Sequence, residues 1–212
     1  MQCARTVWLV PLTGAAFVVL LIVGFVLGGE PPDVTEDSAR EIVDFYADNK
    51  DAKMVGAALA AIAGTLFVFF GGYLRQVLLE AEGPGGILSS VAFAGMIIFA
   101  AGIAIDSTIT FGLAETADDI DPAAVQALGA LYNYDFVVFA MGLQIFLLAT
   151  GLSVLRHGAL PKWIGGIAIV LAVIAVTPLG FFAFLGSGLL ILLISVMLAL
   201  QERKGKPLAS RP

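Results

Sequence analysis

The sequence predicts an all-α polytopic membrane protein, with six transmembrane helices, both termini cytoplasmic and a short amphipathic helix on the outer side. Three observations carry this prediction. First, 59% of the 212 residues are hydrophobic and only 13% are charged, with a mean hydropathy of +0.98, whereas an ordinary soluble domain carries roughly 25% charged residues. So few polar groups cannot cover a surface in water, which leaves the bilayer as solvent. Second, apolar runs of about 20 residues, the length that a hydrocarbon core of about 30 Å requires, recur along the chain. Third, the cationic residues gather on one side of those runs.

The runs cover residues 7–27, 54–74, 87–105, 136–155, 163–177 and 181–200. The first follows Arg5 and competes with a signal-peptide reading. However, "GFVLGGEPPD" contains no A-x-A cleavage site, and the run is longer than the usual hydrophobic region of about 7–15 residues. It is read as a retained helix. The last two runs share one apolar stretch, residues 163–200. A single straight helix of that length would extend about 57 Å at 1.5 Å per residue, well beyond the hydrocarbon layer. Both of its flanks are basic, so the chain should cross an even number of times between them. Pro178 and Gly180 in "TPLG" supply the break, because proline interrupts a helix and glycine permits tight turning.

Orientation follows from the cationic residues in the short flanks. Arg5, Arg75, Arg156, Lys162, Arg203, Lys204, Lys206 and Arg211 fall on one side; Arg40, Lys50 and Lys53 fall on the other. The first set marks the cytoplasmic face, and residues 201–212 form a basic cytoplasmic tail. Opposite lies the acidic outer segment, residues 30–53. "EPPDV" should be extended because proline restricts its predecessor. Ser38 with Glu41 three residues on makes a capping box, and Ala39, Ile42, Val43 and Tyr46 line one face of the helix that follows. That face should rest on the outer ends of the bundle or in the headgroup layer. The carboxylates around it lack the spacing of a calcium loop and read as a solvated acidic surface.

Lipid tails are as apolar as leucine, so helix contacts inside a membrane rely on small residues that let backbones approach. Gly24 and Gly28 stand four apart in the first helix, and Gly56, Ala60 and Gly64 repeat that spacing in the second. "EGPGGI" is too short, and in the wrong context, for a phosphate-binding loop.

The fourth helix should extend over 123–155, with only 136–155 in the membrane. Asp121 is its cap and Pro122 its first helical residue. Ionisable groups within membrane segments are functional suspects, and Asp106 and Asp135 are the two present. Counting along their helices places both at the outer headgroup level, where water reaches them. One reading joins Asp106, Thr110, Tyr132 and Asp135 in an outward-facing pocket for a cation or polar solute. The other leaves each aspartate hydrated, or paired with Lys50 or Lys53. Gln126, Asn133 and Gln144 recur at intervals of 7 and 11, which returns each to nearly the same face at 100° per residue. They form a candidate interhelical polar seam.

Other chemistries are weakly signalled. The eleven basic residues are too few and scattered for a phosphate-binding face, and the net charge is −6, so no nucleic-acid partner is expected. Cys3 stands alone and cannot form an internal disulfide. His157, in "RHGALPK", has no second nitrogen or sulfur ligand nearby in sequence, and Ser89, Ser90 and Ser153 lack a catalytic base. No metal, cofactor or catalytic set is expected. Trp8 and Trp163 fall at the inner boundary, where indoles anchor helices.

Several phrases in order, "REIVDFYADNKDAKMVGAALAAIAGTLFVFFGGYLRQVL", "EGPGGILSSVAFAGM", "HGALPKWIGGIAIVLAVIAVTPLGF" and "LLISVMLAL", resemble small actinobacterial six-helix integral membrane proteins with a domain of unknown function. The resemblance covers most of the chain. It implies six helices in a bacterial plasma (inner) membrane and carries no site residues to transfer. Three functions then compete: a non-catalytic accessory or structural component of a membrane complex, a small transporter or channel using the outer carboxylate pocket, and a membrane enzyme or sensor of an extracytoplasmic ligand. The accessory role leads, because the mid-membrane charges and broken helices expected of a transporter, and the inverted repeat such folds often show, are not visible. Its partners would be the lipid bilayer and other membrane subunits. A wet cavity reaching Gln144 would favour transport.

Overall fold

The computed structural model describes residues 7–34, 36–175, 177 and 179–203, and the described chain is helical with no strand. Arg5, Cys3, Pro178 and the tail cations Lys204, Lys206 and Arg211 lie outside the described residues. A 3-10 turn at Val7–Leu9 leads through Pro11 into α1 (Leu12–Gly28); α2 (Ala39–Asp48), α3 (Lys50–Glu82), α4 (Leu88–Thr116), α5 (Pro122–Tyr134), α6 (Phe136–His157), α7 (Lys162–Ile174) and α8 (Gly180–Arg203) follow. Four stretches are long and apolar enough to cross a membrane: α3, α4, α5 with α6, and α8. Helices α1 and α7 are shorter apolar helices of 17 and 13 residues. Large apolar side chains face outward on most flanks, among them Phe25, Val26, Phe69, Val170 and Leu189. A surface this apolar is what a lipid-embedded bundle shows and a water-soluble monomer avoids.

The long helices form a closed ring. Helix α1 packs on α3, α3 on α4, α4 on α6 and α6 on α7; α8 closes the circuit against α1 and α7. Glycines set several of these approaches. A Cβ on Gly24 would lie 2.8 Å from the Gly56 carbonyl, and one on Gly56 would lie 2.7 Å from the Gly24 carbonyl. Gly95 and Gly142 meet in the same reciprocal way between α4 and α6, and Gly151 and Gly165 between α6 and α7.

Aromatic rings fill the centre. Phe67 of α3 lies 4.4 Å from Phe17 of α1, 5.3 Å from Phe99 of α4 and 6.0 Å from Phe146 of α6, centroid to centroid. Phe184 of α8 stacks on Phe99 at 6.2 Å. Such pairs contribute about 0.5–1.5 kcal/mol each beyond area burial. Five helices thus share one plug.

Polar ties secure one end of the ring. The Ser195 hydroxyl donates to the Pro11 carbonyl at 2.6 Å and accepts from the Ala15 N–H at 2.8 Å. It therefore bridges the groups that an α-helical bond would join, pinning the start of α1 to α8. Tyr73 Oη donates to Glu202 Oε1 at 2.7 Å, and Ser153 Oγ donates to Glu82 Oε1 at 2.5 Å. The start of α1 and the ends of α3, α6 and α8 consequently share one end of the bundle.

A second, smaller apolar cluster sits at the other end. Ile42 and Tyr46 of α2, each 1% exposed, pack with Leu113, Ala114, Ala117 and Val125. Helix α2 starts at the expected capping box: Ser38 Oγ accepts from the Glu41 N–H, and the Glu41 carboxylate accepts from the Ser38 N–H. Those bonds to Ser38 hold the Glu41 carboxyl below its ordinary value. Asp121 caps α5 through the Ala123 N–H at 2.8 Å, with Pro122 as first helical residue.

Two expectations differ from this architecture. The helix expected over 123–155 is interrupted at Asp135, between Tyr134 and Phe136. No proline or glycine causes this break. The backbone at the junction stays in the α-helical region, with Asp135 at φ −69° and ψ −16°, and the two helices together form one apolar stretch long enough to cross a membrane, Pro122–His157. The run expected over 163–177 is helical only to Ile174. Thr177 then organises the turn: its hydroxyl donates to Ile174 O at 2.7 Å and accepts from the Leu179 N–H at 3.2 Å.

Candidate functional site

Three helices bring charged side chains to the capped end of the ring. Lys53 enters from the first turn of α3, on the helical face that also carries Gly56, Ala57, Ala60 and Gly64. It is only 3% exposed. Its Nζ donates to the Gly29 carbonyl at 2.9 Å and lies 4.8 Å and 5.5 Å from the ring centroids of Phe45 and Tyr46. Cation–π contacts of this length are attractive, and more so when water is excluded. Gly29, at φ 63°, adopts a backbone conformation that suits glycine and turns the end of α1 toward this lysine.

Asp106 comes from α4, half-buried and two helical turns beyond Phe99. Lys53 and Asp106 attract one another. Asp135, at the α5–α6 break, is 8% exposed and repels Asp106. Its Oδ2 is buried with no hydrogen-bond partner among the described residues. Tyr132 stands one turn back on α5, half-buried and within electrostatic reach of both aspartates. Tyr46 covers the group from the cap; burial first, and then the Asp106 charge, push its phenol well above the ordinary value.

Of the residues expected in an outer pocket, Asp106, Tyr132 and Asp135 thus act on one another electrostatically. Thr110 is buried one turn further along α4. The water expected around Asp135 has little access, since its side chain is only 8% exposed. Lys53, offered in sequence only as one alternative partner, is part of the cluster. The small-residue face it shares on α3 was the available signal.

The residues expected in a single polar seam are separated. Gln126 Nε2 donates to the Val34 carbonyl of the acidic segment at 3.1 Å, and Asn133 is exposed. Gln144 lies on α6 beyond the break. It lines a groove of about 340 Å³ on the flank of α6, with Phe136, Val137, Ala140, Met141, Ala175 and Thr177.

What the cluster offers chemically is two carboxylates and one ammonium from three helices, roofed by phenols. Among the described residues no group of three or more His, Cys, Asp or Glu side chains is arranged to hold a metal ion. No protein-family model, curated protein or solved structure matches the chain.

Proposed function

We propose that the protein is a six-span integral protein of a bacterial plasma membrane, both termini cytoplasmic, acting as a non-catalytic accessory or structural component of a membrane complex. The observation that carries this reading is the aromatic plug: Phe17, Phe67, Phe99, Phe146 and Phe184 fill the axis where a transporter would keep a passage. The excess of cations on one side supports the orientation, and the resemblance to small actinobacterial membrane proteins supports the setting. In this reading α1 and α7 cross as short helices, lengthened at their ends by the 3-10 turn and the Thr177 turn.

Co-purification from native membranes tests the role. A stoichiometric membrane partner is expected; recovery of the chain by itself, under detergents that preserve known complexes, would count against it. Topology is tested separately. Asp119→Cys is expected to react with an impermeant thiol reagent in whole cells, while Gly158→Cys reacts only after the membrane is breached; the reverse pattern would invert the protein.

A second reading, a small transporter or channel with an outward-facing carboxylate pocket, is favoured by the interrupted helix at Asp135. Broken membrane helices frequently line substrate and ion sites.

A further inference from the structure

We propose that the groove on the flank of α6 is an interface with a second copy of this chain, in which the two Gln144 side chains hydrogen-bond one another across a two-fold axis. The inference rests on the reading of α6 as a membrane crossing and is independent of the accessory role.

Helices α6 and α7 meet backbone to backbone at Gly151 and Gly165. Toward the outer side a groove of about 340 Å³ opens between α6 and the turn that follows α7, with Gln144 on its wall and Ala175 and Thr177 opposite. Gln144 stands nine residues inward of Asp135, about 13 Å at 1.5 Å per residue, which is close to the middle of a hydrocarbon core about 30 Å thick. Among the described residues its side chain has no hydrogen-bond partner. The Thr177 hydroxyl, by contrast, is engaged by Ile174 O and the Leu179 N–H. Gln144 is thus the free polar side chain of the groove.

That amide decides what covers the groove. An unpaired polar group in hydrocarbon is costly. An acyl chain would fill the volume but offers neither donor nor acceptor, whereas a polar side chain on a neighbouring membrane helix satisfies such a group. A second copy meets the requirement without any further condition. Glutamine carries both a donor and an acceptor, so two of them pair reciprocally. Two copies inserted in the same sense are related by an axis along the bilayer normal, and a two-fold interface joins like to like. Both Gln144 side chains therefore lie at one depth. Packing permits the approach: Ala140, one turn outward on the same wall, is small, and Met141 on the groove's edge is exposed, with an unbranched thioether that adapts to irregular gaps.

The test uses the full chain in membranes. In a Cys3→Ser background, Ala140→Cys is expected to form a disulfide-linked dimer on mild oxidation. Val19→Cys, exposed on α1 across the ring, should remain monomeric. Association of labelled chains in liposomes, followed by energy transfer, is expected to weaken about 10-fold in Gln144→Leu and less in Gln144→Asn, which keeps the amide. Gln144→Leu removes no bond within the chain, so its Tm as a detergent-solubilised monomer should match the wild type. No dimer at Ala140→Cys, equal linking at Val19→Cys, a linked product containing a different protein, or unchanged association in Gln144→Leu would overturn the proposal. So would a fall in monomer Tm, which would give the amide an intrachain role. Alkaline extraction of the same membranes keeps the two readings apart: release of the chain would sink the membrane crossing itself, while retention without a dimer sinks the interface alone. A dimer recovered with no other subunit supports this interface and counts against the accessory role.

Discussion

Lys53→Met is expected to lower stability by about 3–5 kcal/mol, the usual cost of removing one partner from a buried charge cluster. Methionine preserves most of the side-chain volume, so the loss would not come from a cavity. It would come from Asp106, left without the attraction of this ammonium, and from the Gly29 carbonyl, left without its donor. At about 2–4 °C per kcal/mol for a chain of this size, a fall in Tm of about 10 °C should be readable in detergent. Adding Asp106→Asn to Lys53→Met should restore a substantial part of that fall, and the double-mutant cycle isolates the coupling. A loss under about 1 kcal/mol, or no recovery in the double variant, would show that Lys53 is held by its aromatic neighbours and not by the carboxylates.

Gly95→Ala is the second large effect. Its new Cβ would stand 2.5 Å from the Phe146 backbone nitrogen and 2.8 Å from the Gly142 carbonyl. Main-chain atoms cannot rotate aside as a side chain would, so α4 and α6 must part and the Phe99 and Phe146 rings with them. Overpacking of this kind costs about 1–3 kcal/mol and sometimes more; the upper end is expected here. Gly112→Ala, on the same helix with open space around its Cβ, should instead gain about 0.5–1 kcal/mol from reduced unfolded-state freedom. Melting both variants side by side separates the effect of contact from that of helix propensity. Equal behaviour would show that the α4–α6 approach is looser than described.

Local chemistry was the most legible part of this chain. Ser38 and Glu41, and Asp121 and Pro122, announce their helix starts because capping involves residues at most three apart. The face of Ile42 and Tyr46 was readable for the same reason, since its period belongs to one helix. Gly24 and Gly56 could be named as contact residues from their spacing. Their pairing, and the Gly95–Gly142 and Gly151–Gly165 approaches, depends on which helices become neighbours, and no single helix encodes that. The break at Asp135 was hidden more deeply. "LYNYDFVV" contains no breaker residue, so nothing local marks the turn there. The polar seam could not be read from spacing alone, because Gln126 bonds the Val34 carbonyl of the acidic segment and Asn133 faces outward. The outer aspartates were visible as anomalies in apolar surroundings, but counting residues from the ends of runs located their height and not their enclosure. Lys53 was the converse case: its charge suggested solvent, while its place on the Gly56–Ala60–Gly64 face pointed inward.

The reciprocal glycine contacts also determine where this assembly is free to move. Main chain rests against main chain between α1 and α3, α4 and α6, and α6 and α7, and such seams neither slide nor swivel without separating altogether. Helix α8 is fastened differently, by the Ser195 hydroxyl, the Tyr73–Glu202 bond and interleaved side chains such as Leu171 beside Gly186. Rotamer changes alone loosen fasteners of that kind. Breathing of the barrel therefore comes readily to its final stave, and a subunit docking there would grip a wall that yields.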